Sequence, residues 1–346
     1  MNTNEIKNKK LSRRKYIIIA GIILLLITPV LFFILLIQDS KPDPASEKFL
    51  RQAAAIILDK DQKDLTDEDF AKITKFELAT EGTDEYFVRV HGDCHTLNGS
   101  FSDIRLLEKF SNLKQLELID LHYFNKNIPA WMKILARFGL YDLDERFSID
   151  LSPVKNLVHL ESIKIIDTPI KNIEPLSGLI NLTWLSLIET DVSDFSPVKN
   201  LTNLRNINLA CTQISNLEPF SKLKNLQCLN LNLTNVSDLE PLKGLVNLQY
   251  LEVQRTNITD LEPIRGLANL KELKISETPV TDLEPIKNLV SLQTLFMIYT
   301  QISDLEPVKN LTNLQEIYIG ECSNISNEQI EDLQKALPNL KVLYEE

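Results

Sequence analysis

A chain of 346 residues with 44% hydrophobic and 25% charged residues can bury a core and does not have the composition of a disordered tail. Its net charge of −11 is uneven: Lys7, Lys9, Lys10, Arg13, Arg14 and Lys15 outweigh Glu5 and Asp39, so residues 1–40 carry +4 and the remainder −15. So acidic a body argues against nucleic acid as a partner, and four cysteines and nine glycines supply neither a disulfide framework nor a phosphate-cradling loop.

Residues 1–15 form a basic tail. From Tyr16 to Ile37 the chain runs 22 residues without a charge, enough at about 1.5 Å per residue to cross a hydrocarbon core of about 30 Å. The expectation is one N-terminal transmembrane helix over 16–37, an uncleaved signal anchor in the cytoplasmic membrane. The basic tail keeps the N-terminus inside and the rest outside. The rival reading is a cleaved signal peptide and a secreted product, against which Asp43, two residues before Ala45, spoils the small-x-small site. Residues 38–45 are polar, with Pro42 and Pro44, and read as a linker.

Residues 46–100 read as an N-terminal cap. Phe49, Leu50, Ala53, Ile56 and Ile57 recur with helical spacing over Ser46 to Asp59. Thr66-Asp-Glu-Asp69 resembles a capping box, and Phe76-Glu-Leu78 is expected to be the first strand. Tyr86 to Val90 and Ile104 to Leu118 are expected to continue its sheet.

From 101 to 325 one phrase organises the chain. Asn172-Ile-Glu-Pro175 is followed at intervals of 22 residues by Asp194-Phe-Ser-Pro197, Asn216-Leu-Glu-Pro219, Asp238-Leu-Glu-Pro241, Asp260-Leu-Glu-Pro263, Asp282-Leu-Glu-Pro285 and Asp304-Leu-Glu-Pro307. Leu248, Leu251, Val253, Ile258, Leu261, Ile264 and Leu267 recur one period later as Leu270, Leu273, Ile275, Val280, Leu283, Ile286 and Leu289. Leu-x-x-Leu-x-Leu alternates with period two and predicts a short strand; the proline, with fixed φ and no N–H, suits the first turn of a short helix on the far side. A lone unit cannot bury its leucines, so neighbours must stack in one continuous core. Thr168, Thr190, Thr212, Thr234, Thr256, Thr278 and Thr300 form a second register after each strand. Asn181, Asn203, Asn225, Asn247, Asn269 and Asn313 form a third before it, with His159 and Ser291 as substitutes. Both read as structural hydrogen-bonding ladders.

The register breaks at 119–150. Leu106 stands where proline is expected, and 47 residues separate it from Pro153. One reading is an irregular repeat with a longer convex segment; the other is an insertion, holding Trp131, Met132, Phe138, Tyr141 and Phe147, that helps a partner dock. At 326–346, Ser326-Asn-Glu-Gln329 is a capping box opening a helix through Ile330, Leu333 and Leu337, followed by a last strand from Leu340 to Tyr344, together a C-terminal cap.

In these motifs the chain resembles the leucine-rich repeat family over about residues 100 to 343, and its Asp-Leu-x-Pro form is most similar to the bacterial internalin-type subclass. The resemblance implies an α/β repeat solenoid: a curved leucine-rich repeat with a parallel sheet on the concave face and short helical turns on the convex face. It implies binding of another macromolecule on that concave sheet.

Candidate chemistry is sparse. His91-Gly-Asp-Cys94-His95 is the only local cluster of soft ligands, without a second pair at zinc-finger spacing. No cofactor is expected, and an enzyme or metal protein is the least favoured reading. Strand alternation instead places Tyr250, Glu252, Arg255, Lys274, Phe296, Ile298, Tyr299 and Tyr318 outward on the concave sheet, an aromatic cluster edged by charge. Ile166, Trp184 and Ile188 form a second small patch. The competing reading is cross-strand packing that merely stabilises the sheet. The function expected is a membrane-anchored, non-catalytic protein-binding module, with a glycan as the other ligand; the alternative is a scaffold or spacer using edge or convex contacts.

Overall fold

The period-two leucines do become strands. The structure is a computed structural model that describes residues 44–80, 86–90, 93–97, 104–121 and 148–344. Residues 45–346 group as one unit by their contacts. The expected span 16–37 and most of the irregular segment, 122–147, lie outside the described residues; among those described, no helix is long and apolar enough to cross a membrane.

The repeats pair as parallel strands. β4 (Gln115–Ile119), β5 (Ser162–Ile166) and β6 (Trp184–Ile188) have five residues each. β7 (Asn206–Asn208), β8 (Cys228–Asn230), β9 (Tyr250–Glu252), β10 (Glu272–Lys274), β11 (Thr294–Phe296) and β12 (Glu316–Tyr318) have three each. From β5 to β12 every Cα partner is 22 residues away, as in Ser162↔Trp184 and Leu273↔Leu295. The repeat of the sequence is therefore one step of the sheet. Leu251, Leu273, Leu295 and their equivalents are fully buried, as are the convex Ile264, Ile286 and Val308.

The convex side is made of 3₁₀ turns such as Glu262–Ile264 and Glu284–Ile286, each with proline as its second residue. Asp260 and Asp282 Oδ1 accept the N–H of Glu262 and Glu284 at 2.7 and 2.8 Å, so the acid before each proline ties the turn together. Threonine hydroxyls of the regular repeats donate within their own repeat: Thr212, Thr256 and Thr278 donate to the carbonyls of Leu209, Val253 and Ile275 at 2.6–2.7 Å. The asparagines join repeats: Asn203, Asn247 and Asn269 Nδ2 donate to the carbonyls of Ile180, Lys224 and Val246, each at 2.8 Å.

At the N-terminal end the expected strands join the sheet, 86–90 in an antiparallel pairing. Helix α1 (Pro44–Leu58) buries Phe49, Leu50 and Ala53 and ends at Asp59, whose φ of 52° lets Lys60 N–H reach the Ala55 carbonyl. A single turn, α2 (Asp67–Phe70), precedes β1 (Lys75–Ala79), which pairs parallel with β4. Strands β2 (Tyr86–Val90) and β3 (Asp93–Leu97) run antiparallel on the other side of β1, so 86–90 turns back from the solenoid and forms its end. Phe76 and Phe70 pack on Phe110 with ring centroids 5.5 and 5.6 Å apart, joining cap to repeats.

The 47-residue interval also resolves. Gln115 pairs directly with Ser162, so the long interval is a single step of the sheet with 25 more residues than a repeat. The described chain flanks them with two bonds just after the strands: Leu121 N–H donates to Thr168 Oγ1, and Ile149 N–H to the Pro169 carbonyl.

At the C-terminal end helix α3 (Asn327–Ala336) opens with the expected reciprocal bonds, Gln329 N–H to Ser326 Oγ and Ser326 N–H to Gln329 Oε1. β13 (Lys341–Leu343) then closes the sheet against β12.

Candidate binding face

The outward residues of the strands form rows across the concave sheet. One row reads Asn208, Asn230, Glu252, Lys274, Phe296, Tyr318, each the Cα partner of the next. Phe296 and Tyr318 stack with centroids 4.0 Å apart and planes 11° apart, and Lys274 Nζ lies 5.0 Å from the Phe296 centroid. Lys274 also pairs with Glu252 and Glu272 at 3.6 and 3.3 Å. Glu316 is held by Lys341 and accepts from the Tyr318 hydroxyl, and its carboxyl titrates below the usual glutamate value, chiefly through the Lys341 hydrogen bond. Burial, with Glu316 beside it, pushes the Tyr318 phenol up. These side chains are half-buried, so this part of the face is rigid as well as aromatic.

The other expected residues distribute unevenly. Ile298 is 8% exposed, which corrects its placement on the open sheet, and Ser276 beside it is buried too. The row beyond the strand ends curls inward: Ser276 Oγ accepts the Ile298 N–H, and Glu277 N–H donates to the Ile298 carbonyl. Tyr299 is 60% exposed but stands at the rim, with φ 56°. Arg255 shares that rim, ion-paired to Glu277 at 2.7 Å. Both line a shallow rim cavity of about 610 Å³ with Tyr344. Ile166 and Ile188 are Cα partners, with Ile119 as a third member of their row. Trp184 is not with them; it starts β6, where Ile188 ends it.

Trp184 instead faces a trough of about 170 Å³ that Tyr250 and Glu252 also line, together with Asn206, Asn208 and Cys228. Sequence reasoning named both aromatics but not the asparagines between them. The signal was available, since Asn206 and Cys228 occupy the register of Trp184 and Tyr250. The His91 to His95 cluster falls partly outside the described residues, and among those described no three ligand-type side chains converge. Cys211, Cys228 and Cys322 are free thiols.

Residues 246–288 and 268–310 match the family model described as Leucine Rich repeats (2 copies). No curated protein sequence matches the chain. Among solved structures, an internalin (inlF) from Listeria monocytogenes str. 4b F2365 is similar with TM-score 0.57 at 23% identity, covering 88% of this chain and 91% of its own. An internalin C2 (inlC2) from the same organism gives TM-score 0.51 at 24% identity, covering 80% and 93%. A leucine-rich-repeat protein of Leptospira interrogans gives TM-score 0.57 at 22% identity, covering 70% of this chain and 58% of its own. Residues 246–310 thus match the leucine-rich-repeat model, and the fold as a whole is a parallel-sheet solenoid similar in architecture to the internalins.

Proposed function

We propose that the chain is a membrane-anchored, non-catalytic recognition protein that binds another protein on the concave face of its C-terminal repeats. The observation that carries this reading is the Lys274, Phe296, Tyr318 ladder with Tyr299 exposed at its rim: aromatics and a cation preset on a rigid sheet. Such groups lose little conformational freedom on binding and supply most of the energy in protein interfaces. The uncharged stretch 16–37 behind its basic tail supports a single-pass anchor with the repeats outside, or secretion if that stretch is cleaved. The test is the triple variant Phe296→Ala, Tyr299→Ala, Tyr318→Ala: a partner recovered by crosslinking the wild-type chain should be lost, with the circular-dichroism spectrum of the folded chain kept. Unchanged recovery would reject the site. An export-dependent reporter fused after Glu346 tests the orientation; silence from an intact, membrane-bound fusion would reject it.

One observation favours the scaffold reading. Val158, Ile180, Val246 and Val290 are all exposed and share one position of the 22-residue repeat, interrupted by Thr202, Lys224 and Ala268. It predicts self-association by sedimentation that the triple variant leaves unchanged.

A further inference from the structure

Trp184, Asn206, Cys228 and Tyr250 are successive Cα partners on β6 to β9. At about 4.8 Å per strand the two aromatics stand about 14 Å apart. They remain 47% and 39% exposed, and the small side chains between them leave the trough of about 170 Å³. Two aromatic walls with a low floor make a slot open to solvent on the concave face.

The lining has an unusual polarity for so acidic a chain. Its one carboxylate, Glu252, is engaged by Asn230 and Asn232 amides at 3.1 and 2.8 Å and by Lys274, so its charge is compensated inside the protein. Burial, then Glu252 and Glu272, push the Cys228 thiol up, which keeps it neutral. The amides are partly unspent. Asn208 accepts the Ala210 N–H at 3.1 Å and leaves its NH₂ free; the Asn206 amide, the Trp184 indole N–H and the Tyr250 hydroxyl have no partner among the described residues.

Unspent groups that both donate and accept, held between aromatic faces with no free charge, match one ligand chemistry. A neutral pyranose has apolar C–H faces that lie against aromatic rings, and a rim of hydroxyls that each donate and accept, as an asparagine amide does. A pyranose unit is also about as long as one strand step of about 4.8 Å, so successive units can keep register with successive strands. An anionic ligand would meet Glu252 and the acidic body; an apolar one would strand the amides. We infer that the trough between Trp184 and Tyr250 binds a neutral oligosaccharide, whose successive units run from one aromatic wall to the other with their hydroxyls on Asn206 and Asn208. The site lies on other repeats than the Phe296 ladder and does not depend on it.

The test uses the full-length chain carrying Trp131→Phe, which makes Trp184 its only tryptophan, titrated with neutral tetrasaccharides of glucose, galactose, mannose and N-acetylglucosamine. One of these should shift Trp184 emission to the blue. In the Trp131-containing chain followed by calorimetry, Trp184→Ala should weaken binding at least about tenfold, and Phe296→Ala should leave it unchanged. Trp184→Phe keeps an aromatic wall and should retain most of the affinity. Should Trp184→Ala lose its circular-dichroism spectrum, Asn206→Asp is the second variant, placing an uncompensated charge in the trough and weakening binding. No binding by any of the four sugars at millimolar concentration, or binding indifferent to these variants, overturns the proposal. So does binding of uncharged tetrapeptides in their place with the same dependence on Trp184, which would assign the trough to a peptide.

Discussion

Phe296 and Tyr318, one repeat apart in sequence, stack with ring centroids 4.0 Å apart and planes 11° apart, under the ammonium of Lys274. A stack of this geometry contributes about 1 kcal/mol beyond its burial, so the pair should serve the fold as well as a partner. A double-mutant cycle of Phe296→Ala and Tyr318→Ala, read by denaturant unfolding, should give a coupling of about 1 kcal/mol. A coupling indistinguishable from zero would mean that the rings are held only for binding.

The two polar registers should be separable by their costs. Thr256→Val removes the hydroxyl from the buried Val253 carbonyl and should cost about 1–3 kcal/mol. Asn247→Ala breaks an exposed bond to the Lys224 carbonyl and should cost about 1 kcal/mol or less. The order Thr before Asn, measured by urea midpoints at constant slope, is the checkable outcome.

After each strand of the repeats the chain enters the left-handed region at a residue other than glycine, including Cys211, Leu233, Arg255, Glu277 and Tyr299 with φ of 53–59°. Leu233 is the clearest misfit, 47% exposed with φ 58°. Leu233→Asn should stabilise the protein by about 0.5–1 kcal/mol, because asparagine tolerates this region and little packing is lost. A lower melting temperature in this variant would show that Leu233 packs usefully.

Acid should loosen the N-terminal cap first. The Asp69 carboxylate is buried and accepts from Lys60, Lys72 and Thr66, hydrogen bonds that hold its titration far below the ordinary value of 3.8. A group depressed in the folded state adds stability above its unfolded pKa and loses it as pH falls further, so the loss begins below about pH 4. Asp69→Asn should destabilise at pH 7 and flatten the acid limb of melting temperature against pH between 2 and 5. An unchanged acid limb would remove Asp69 from that role.

Gly320 admits the last strand. A Cβ there would sit 2.0 Å from the Tyr344 carbonyl oxygen, so Gly320→Ala must displace the end of β13. The expected cost is about 1–3 kcal/mol, with faster amide exchange in 341–344. Full retention of both would show that the C-terminal strand yields freely.

Much of this architecture was legible in the residues. The 22-residue register of prolines and leucines is the strand offset itself, and Ser326 and Gln329 make the reciprocal bonds their spacing announced. The prolines and threonines also took structural places set within their own repeat, and the asparagines took theirs against the neighbouring repeat. The binding face was legible only as a list of outward positions: Ile298 proved buried and Trp184 parted from Ile166 and Ile188.

What the sequence determined by itself was periodic and local: a stack of like units, each with a strand, a threonine bend and a proline turn, because one repeat needs only its neighbours to bury its leucines. The tertiary structure decided how residues many periods apart meet. It turned 86–90 back against β1, made the 47-residue interval one step, and set Trp184 and Tyr250 on two sides of one trough. Those outcomes depend on which side of a strand the chain next pairs and on how rows of side chains close over one another, and neither is written within a single repeat.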